Sequence, residues 1–316
     1  MTAVHLVSMP WPPPYTPSLP LAQLAAVVRR ADRKRTVAEH HLYLEWYEVL
    51  FTQYGDDGAR SVYSNVADRG AYLGIGDYIF SSKFSAITDS ITDVYAQLLH
   101  AASIDLPALG ELCRLADQFV ASTADRLAED IPQGAVVGFS STYTQTVASL
   151  SLIEPLKELR PDLHVVLGGY NMNEERASIL VREHPIDRIV VGDGEDAIVT
   201  ILHEFDKATS ITRRDQGIVQ TPPIDMRKLP SPDFRGYFEV LERSAVNHLI
   251  EPKLGYEIGR GCWWGERRHC TFCGLNGESM AYRKRDAHQV VTDLTQAIAE
   301  YRSLDVFFAD NILDPD

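Results

Sequence analysis

The chain has 316 residues, 45% of them apolar and 23% charged, a composition that supports one large folded domain or two ordinary ones. Its formal net charge of −14 disfavours a surface built to track nucleic-acid phosphates, and no apolar run approaches the roughly 18–20 residues that a bilayer span needs. The segment from Met1 to Trp11 lacks the basic flank and long apolar stretch of a secretory signal, so a cytoplasmic location is expected, with neither nucleic acid nor membrane as partner.

In chain order, VHLVSMP (4–10) reads as a buried strand. A Pro-rich turn from Pro10 to Pro20 follows, then an apolar-periodic helix over 21–30. Thr36–Tyr43 is a candidate second strand. The aromatic-rich stretch from Glu45 to Ser103 and the helical periodicity over 106–129 together suggest a helical insertion at about 45–130. The clearest pattern comes next: strand 135–141, helix 144–159, strand 164–170, helix 173–183, strand 188–193 and helix 195–205. Short Val/Ile/Leu-rich strands alternating with helices predict an α/β fold with a parallel sheet covered on both faces.

Each of these strands ends in small residues: Ser140 and Ser141, Gly168 and Gly169, and Gly194 ahead of Glu195. Ligands of open α/β sheets sit beyond such carboxyl ends, where glycine admits a close approach. Ordinary strand-to-helix turns carry the same residues, and Glu195 is placed to cap the helix that follows.

Residues 207–252 read as a linker. TPPIDMRKLPSPDF carries four prolines and no periodicity, which predicts an extended, surface-bound path. YEIGRG (256–261) is then a strand running into the cysteines, 286–302 a helix, and VFFADN (306–311) a strand.

Three of the four cysteines fall within twelve residues, as Cys262-x7-Cys270-x2-Cys273. Cys113 stands apart at an apolar helical position and reads as a core residue. A disulfide framework would spread its cysteines along the chain, whereas a cluster in a reducing compartment points to metal. Three thiolates hold three irons of a [4Fe–4S] cluster and leave the fourth open to chelate S-adenosylmethionine (SAM). Two alternatives stay open: a zinc site with His269 as fourth ligand, and three unligated thiols.

The loop GCWWGERRHCTFCG resembles that of the radical SAM superfamily, in which the residue before the last cysteine is commonly aromatic and lies beside the SAM adenine. Phe272 matches, while the first spacing of seven departs from the usual three. The string EIGRGCWWGERRHCTFCGLNGESMAYRKR, the later VFFADN, the start HLVSMPWPPPYTPSLPLAQL and the interior GIGDYIFSSKF are similar to the cobalamin-dependent RiPP maturation radical SAM protein 1 family. That resemblance implies a Rossmann-like cobalamin-binding domain over 1–206, a linker over 207–252, and the start of a radical SAM β/α barrel over 253–316.

It implies three cofactors: the cluster, SAM and cobalamin. It further implies a precursor peptide as substrate, carbon methylation or another radical outcome, and an electron donor such as a flavodoxin or ferredoxin. The Asp-x-His-x-x-Gly motif whose His ligates cobalt is absent after the first strand, so cobalamin is expected without a protein histidine on cobalt. His40 and His41 are then expected at a strand edge or surface. Asp310 and Asn311 lie where related enzymes contact SAM.

Trp263 and Trp264 either shield the cluster or simply pack. Arg267, Arg268, Arg283, Lys284 and Arg285 form either a solvated basic face or an attraction for SAM's carboxylate or an acidic leader peptide. A six-unit barrel needs on the order of 180–200 residues. The expectation is therefore of a partial barrel, inactive as an isolated chain and with the apolar edge of VFFADN exposed. The competing class is a non-catalytic cobalamin- or nucleotide-binding module with a structural Cys3His zinc site.

Overall fold

The computed structural model describes residues 1–84, 89–207, 217–271, 273 and 280–313. Among them, six parallel strands form one sheet in the order β2-β1-β3-β4-β5-β6. Its strands are β1 (Val4–Ser8), β2 (Val37–His41), β3 (Val136–Ser140), β4 (His164–Gly168), β5 (Arg188–Val191) and β6 (Gly217–Gln220). The central strands are apolar on both sides because both faces are covered. Val4 and Leu6 of β1, with Val136, Val166 and Val190, pack on helices α1 (Leu19–Ala31) and α8 (Gly194–Lys207). Val7, Val137, Phe139, Val165, Leu167, Ile189 and Val191 alternate to the other face. There they meet α2 (Leu42–Ser64), α3 (Ile75–Ile79), α5 (Leu109–Asp130), α6 (Gln145–Leu159) and α7 (Glu174–Glu183), while α4 (Asp89–Ala101) lies against α5.

Helices α2 to α5 occupy the stretch between β2 and β3. Their packing centres on Trp46, 0% exposed, which meets Trp11 edge-on at 5.7 Å and Phe80 at 5.4 Å. Cys113 is buried in the same core, and burial lifts its thiol to about 11, so it stays protonated at neutral pH. No helix among the described residues is long and apolar enough to cross a membrane.

The expected extended, surface-bound linker over 207–252 is corrected. It contributes the sheet's sixth strand, paired in parallel with β5, and a helix, α9 (Arg235–Arg243), that packs on β2. Met226, Phe234, Tyr237 and Val246 are each no more than 1% exposed. Prolines made the segment look structureless, but its apolar side chains find cover under α1 and the edge strand.

The expected continuous strand over 256–261 is divided. β7 (Leu254–Tyr256) pairs in parallel with β10 (Val306–Phe308), whereas β8 (Gly259–Arg260) pairs antiparallel with β9 (Arg283–Lys284). Helix α10 (Ala287–Tyr301), capped by the Asp286 side chain, joins β9 to β10. Ala22, Phe234, Leu254 and Ala297 form a shared apolar cluster that fastens this C-terminal unit to α1. Phe308 of β10 is 45% exposed.

The edge strand β2 owes its polar sequence, VAEHH, to internal pairing. Glu39, whose side chain is fully buried, lies 3.3 Å from Arg29 and 3.5 Å from His41. His40 and His41 do lie on an edge strand, but His41 is buried against Tyr43 and Tyr237. His40 stacks on His5 with its Nε2 3.0 Å from the partner Nδ1. Burial, reinforced by His5, Arg126 and His41, holds His40 at about 3, against an ordinary 6.5. Since the unfolded chain takes up this proton below about pH 6.5 and the folded chain does not, stability falls as pH drops from about 6.5 towards 3. Between pH 6.5 and 5, above the carboxylate range, His40→Gln is expected to flatten the pH slope of the unfolding free energy from urea titrations by up to ~1.4 kcal/mol per pH unit. An unaltered slope would show that His40 protonates freely in the fold.

Candidate functional site

The strand order reverses between β1 and β3, which makes their carboxyl ends a topological switch point. Register places His41, Ser8, Ser140 and Gly168 side by side across that edge. Behind the row, Ser141 is fully buried and spoken for: its Oγ lies 2.9 Å from Thr146 Oγ1 and accepts from Asn171 Nδ2 at 3.2 Å. Gly169 has φ of 108°, and a Cβ there would sit 2.5 Å from the Ser141 carbonyl oxygen. Only glycine lets the β3 and β4 ends approach so closely.

The loop between β1 and α1 forms the floor of this edge. Its proline-rich path is held by three tyrosyl hydroxyls, donated by Tyr63 to Pro12 O (2.6 Å), Tyr237 to Pro14 O (2.7 Å) and Tyr43 to Thr16 O (2.8 Å). Gln145 at the start of α6 ties the switch point together. Its Nε2 donates to Ser8 Oγ at 3.1 Å, and its Oε1 accepts from the Thr142 N–H at 3.0 Å. Sequence reasoning passed over Gln145, although Thr142-x-x-Gln145 is a capping-box spacing that could have revealed it.

The cysteine loop is closed at its base by the β8–β9 ladder, with Gly259 opposite Lys284 and Arg260 opposite Arg283. Gly261 follows with φ of 82°, where a Cβ would lie 2.4 Å from Ala281 O, and the Cys262 N–H donates to Met280 O at 3.1 Å. A turn continues through Glu266 N–H to Cys262 O (3.0 Å), while the Gly265 N–H points at Cys262 Sγ from 3.2 Å. Cys273 N–H donates to Cys270 O at 3.1 Å, so the x2 spacing forms one tight turn.

All three thiols are half-buried and free of disulfides. As a donor set they fit a cluster that takes three protein sulfurs. Their sulfurs are not gathered: among the described residues no three His, Cys, Asp or Glu side chains form a group able to hold a metal ion. Phe272 lies outside the described residues, as does the stretch 274–279. Trp263 donates its Nε1–H to Leu313 O at 3.1 Å, and Trp264 is 44% exposed.

Arg260, two residues before Cys262, reaches back to the sheet. Its Nη1 lies 3.0 Å from Asp193 Oδ1, its Nη2 2.5 Å from Glu195 Oε1, and its Nε 2.9 Å from Glu257 Oε2. Arg283 takes the other Asp193 oxygen at 2.7 Å. Although burial opposes it, the two guanidiniums hold Asp193 below the usual carboxylate range, whereas burial raises Glu257. Glu195, expected both at the cofactor-binding edge and as a helix cap, is also an ion-pair partner of the cysteine segment.

The expected basic cluster divides. Arg267 and Arg268 are exposed, Arg283 is paired with Asp193, and Arg285 is 2% exposed. Arg285 donates to Gln23 Oε1 at 2.7 Å and Glu257 O at 3.0 Å and covers the Tyr256 ring at 5.3 Å. Asp310 accepts the N–H groups of Ile258 and Gly259 and so braces the break between β7 and β8, with burial raising its pKa. Asn311 follows, exposed.

No protein-family model matches the chain. It is 25% identical over 179 residues to the anaerobic magnesium-protoporphyrin IX monomethyl ester cyclase of Synechocystis sp. (strain ATCC 27184 / PCC 6803 / Kazusa), covering 54% of this chain and 35% of that protein. Two solved structures of the radical S-adenosylmethionine methyltransferase TsrM from Kitasatospora setae share its fold. One, with tryptophan substrate and a SAM analogue bound, has a TM-score of 0.53 at 12% identity. The other, with cobalamin and a [4Fe-4S] cluster bound, has a TM-score of 0.51 at 12% identity. Both cover 98% of this chain and 48% of the other, so the chain spans about half the length of those structures. It has the α/β fold of proteins that hold cobalamin, a SAM analogue and an iron–sulfur cluster.

Proposed function

We propose that the chain is the cobalamin-binding and cluster-bearing part of a radical SAM enzyme that modifies a ribosomally synthesised peptide, with methylation at carbon as the outcome. One observation carries the reading: a cysteine loop of x7–x2 spacing is tied through Arg260 to the carboxyl end of β5 in a parallel sheet, within a fold shared with TsrM. On the same reading the cobalamin domain extends past residue 206 to include β6 (Gly217–Gln220), and the barrel begins over 253–316.

Cys262, Cys270 and Cys273 would ligate the cluster. When bound, a [4Fe–4S] cluster with one open iron supplies the electron that cleaves SAM to a 5′-deoxyadenosyl radical, and methylcobalamin supplies a methyl group. The Gly265 N–H donates to Cys262 Sγ and so orients it, and Asp310 fixes the strand end from which the loop departs. Phe272 and Asn311 are assigned to SAM on resemblance. Ser140, Gly168, Gly169 and Gly194 leave room for a nucleotide tail along the sheet edge. The β1–α1 loop, Met9 to Ser18, contains no histidine, so cobalt would carry no imidazole from it. A precursor peptide and a flavodoxin- or ferredoxin-like donor complete the proposal.

Because the chain spans about half of the solved structures, the test reads cofactor binding and not turnover. Protein produced and reconstituted without oxygen is expected to hold about four irons and to retain about one cobalamin per chain, with absorbance that bleaches on reduction. One tightly bound zinc and no iron would replace this reading with the Cys3His knuckle of a non-catalytic module.

A further inference from the structure

Arg260 spends every guanidinium nitrogen on a carboxylate, and the three carboxylates come from two different parts of the fold. Asp193 lies in the turn at the carboxyl end of β5 and Glu195 in the first turn of α8, whereas Glu257 lies beside Arg260 on the cysteine segment. Asp193 also accepts the Ile224 N–H at 2.7 Å, so the stretch after β6 is drawn into the same bracket. Three carboxylates face two guanidiniums, and Glu195 Oε2 is buried with no hydrogen-bond partner among the described residues. Exposed ion pairs contribute little because water screens them. This bracket is mostly out of water, the forked geometry is specific, and losing one partner strands buried charge.

We infer that Arg260 is a positioning residue that couples the sheet-edge site to the cysteine loop, so that occupancy of either strengthens binding at the other. The inference rests on the reading that these sites hold cobalamin and an iron–sulfur cluster. A ligand donor reaching Glu195 Oε2 would order the β5–α8 turn and the carboxylates around Arg260. Ordered carboxylates fix β8, and Cys262 follows two residues later. Thermodynamic linkage makes the coupling reciprocal.

The test uses the full chain, Arg260→Lys, and a charge-balanced double variant, Arg260→Met with Glu195→Gln. Without any cofactor, amide hydrogen exchange over 192–196 and 259–262 is expected to quicken at least about ten-fold in both variants, with β3 and α5 unaltered. Quickening in only one of the two segments overturns the inference. Hydroxocobalamin is then titrated into metal-free and cluster-reconstituted protein. The wild-type chain is expected to bind it at least about five-fold more tightly with the cluster present, and the ratio is expected to fall to about one in both variants. A wild-type ratio of one, or a ratio that survives in the variants, overturns the coupling and leaves the cofactor reading standing. Wild-type protein that binds no cobalamin in either state overturns both.

Discussion

Replacing any one of Cys262, Cys270 or Cys273 with alanine is expected to lower the iron content of reconstituted protein from about four per chain to below about one. The size of the loss follows from the donor count. A cluster on three protein sulfurs depends on each of them, and removing one leaves two attachment points for a four-iron unit. Cys113→Ala is the internal control. Its thiol is buried in the core and lifted to about 11, so it supplies no thiolate at neutral pH. That variant is expected to keep full iron content and to lose only the packing of one small side chain. His269→Ala separates the two metal chemistries: a cluster reading expects unchanged iron, whereas a Cys3His zinc site would lose its metal with the imidazole. Iron and zinc quantitation on the five single variants, with the reduced-state electron paramagnetic resonance signal, reads all of this at once. Retention of a full cluster by Cys270→Ala would end the assignment of these ligands.

The central strands were legible because burial on both faces demands unbroken apolar runs, and Val136-Val137, Val165–Leu167 and Ile189–Val191 supply them. Edge strands obey a weaker rule. β2 carries Glu39 and His41 inward, tolerable only because Arg29, Tyr43 and Tyr237 meet them there. The four-residue β6 sits in a stretch whose prolines mask the apolar positions at Met226, Phe234 and Tyr237. The cysteine spacing was readable because its three residues lie within twelve positions of sequence. The charged bracket was not. Arg260 is separated from Glu195 by 65 residues, and Arg285 from Gln23 by 262. No periodicity tells a buried, paired arginine from a solvated one. Glu195 shows the same limit, since its place in the first turn of α8 suggests capping and only the fold brings Arg260 to it.

Gly169→Ala should be the most damaging small substitution at the sheet edge. The residue holds φ of 108°, and an added Cβ would lie 2.5 Å from Ser141 O and 2.7 Å from Ser141 N. Backbone strain of this kind costs about 1–3 kcal/mol. The clash adds to it, because the neighbour is main chain and cannot rotate away. Relief requires the β3 and β4 ends to part, which breaks the Ser141 N–H to Gly168 O bond of 2.8 Å and the Asn171 N–H to Ser141 O bond of 3.2 Å. The combined loss is expected at ~3 kcal/mol, read as a lowered urea midpoint with unchanged slope. Gly134→Ala isolates the conformational part: its φ is 67° but nothing lies within 4 Å of the added methyl, so its cost should stay near ~1 kcal/mol. The same comparison bears on ligand binding. Gly134 lies at the opposite end of β3 from the switch point, so its variant is expected to keep cobalamin at wild-type affinity. Parting the strand ends at Gly169 reshapes the row of Ser8, Ser140 and Gly168 and should weaken retention at least about ten-fold, more than one misfitted contact would. Equal cobalamin affinity in the two variants, with Gly169→Ala still the less stable, would place the ligand away from this edge.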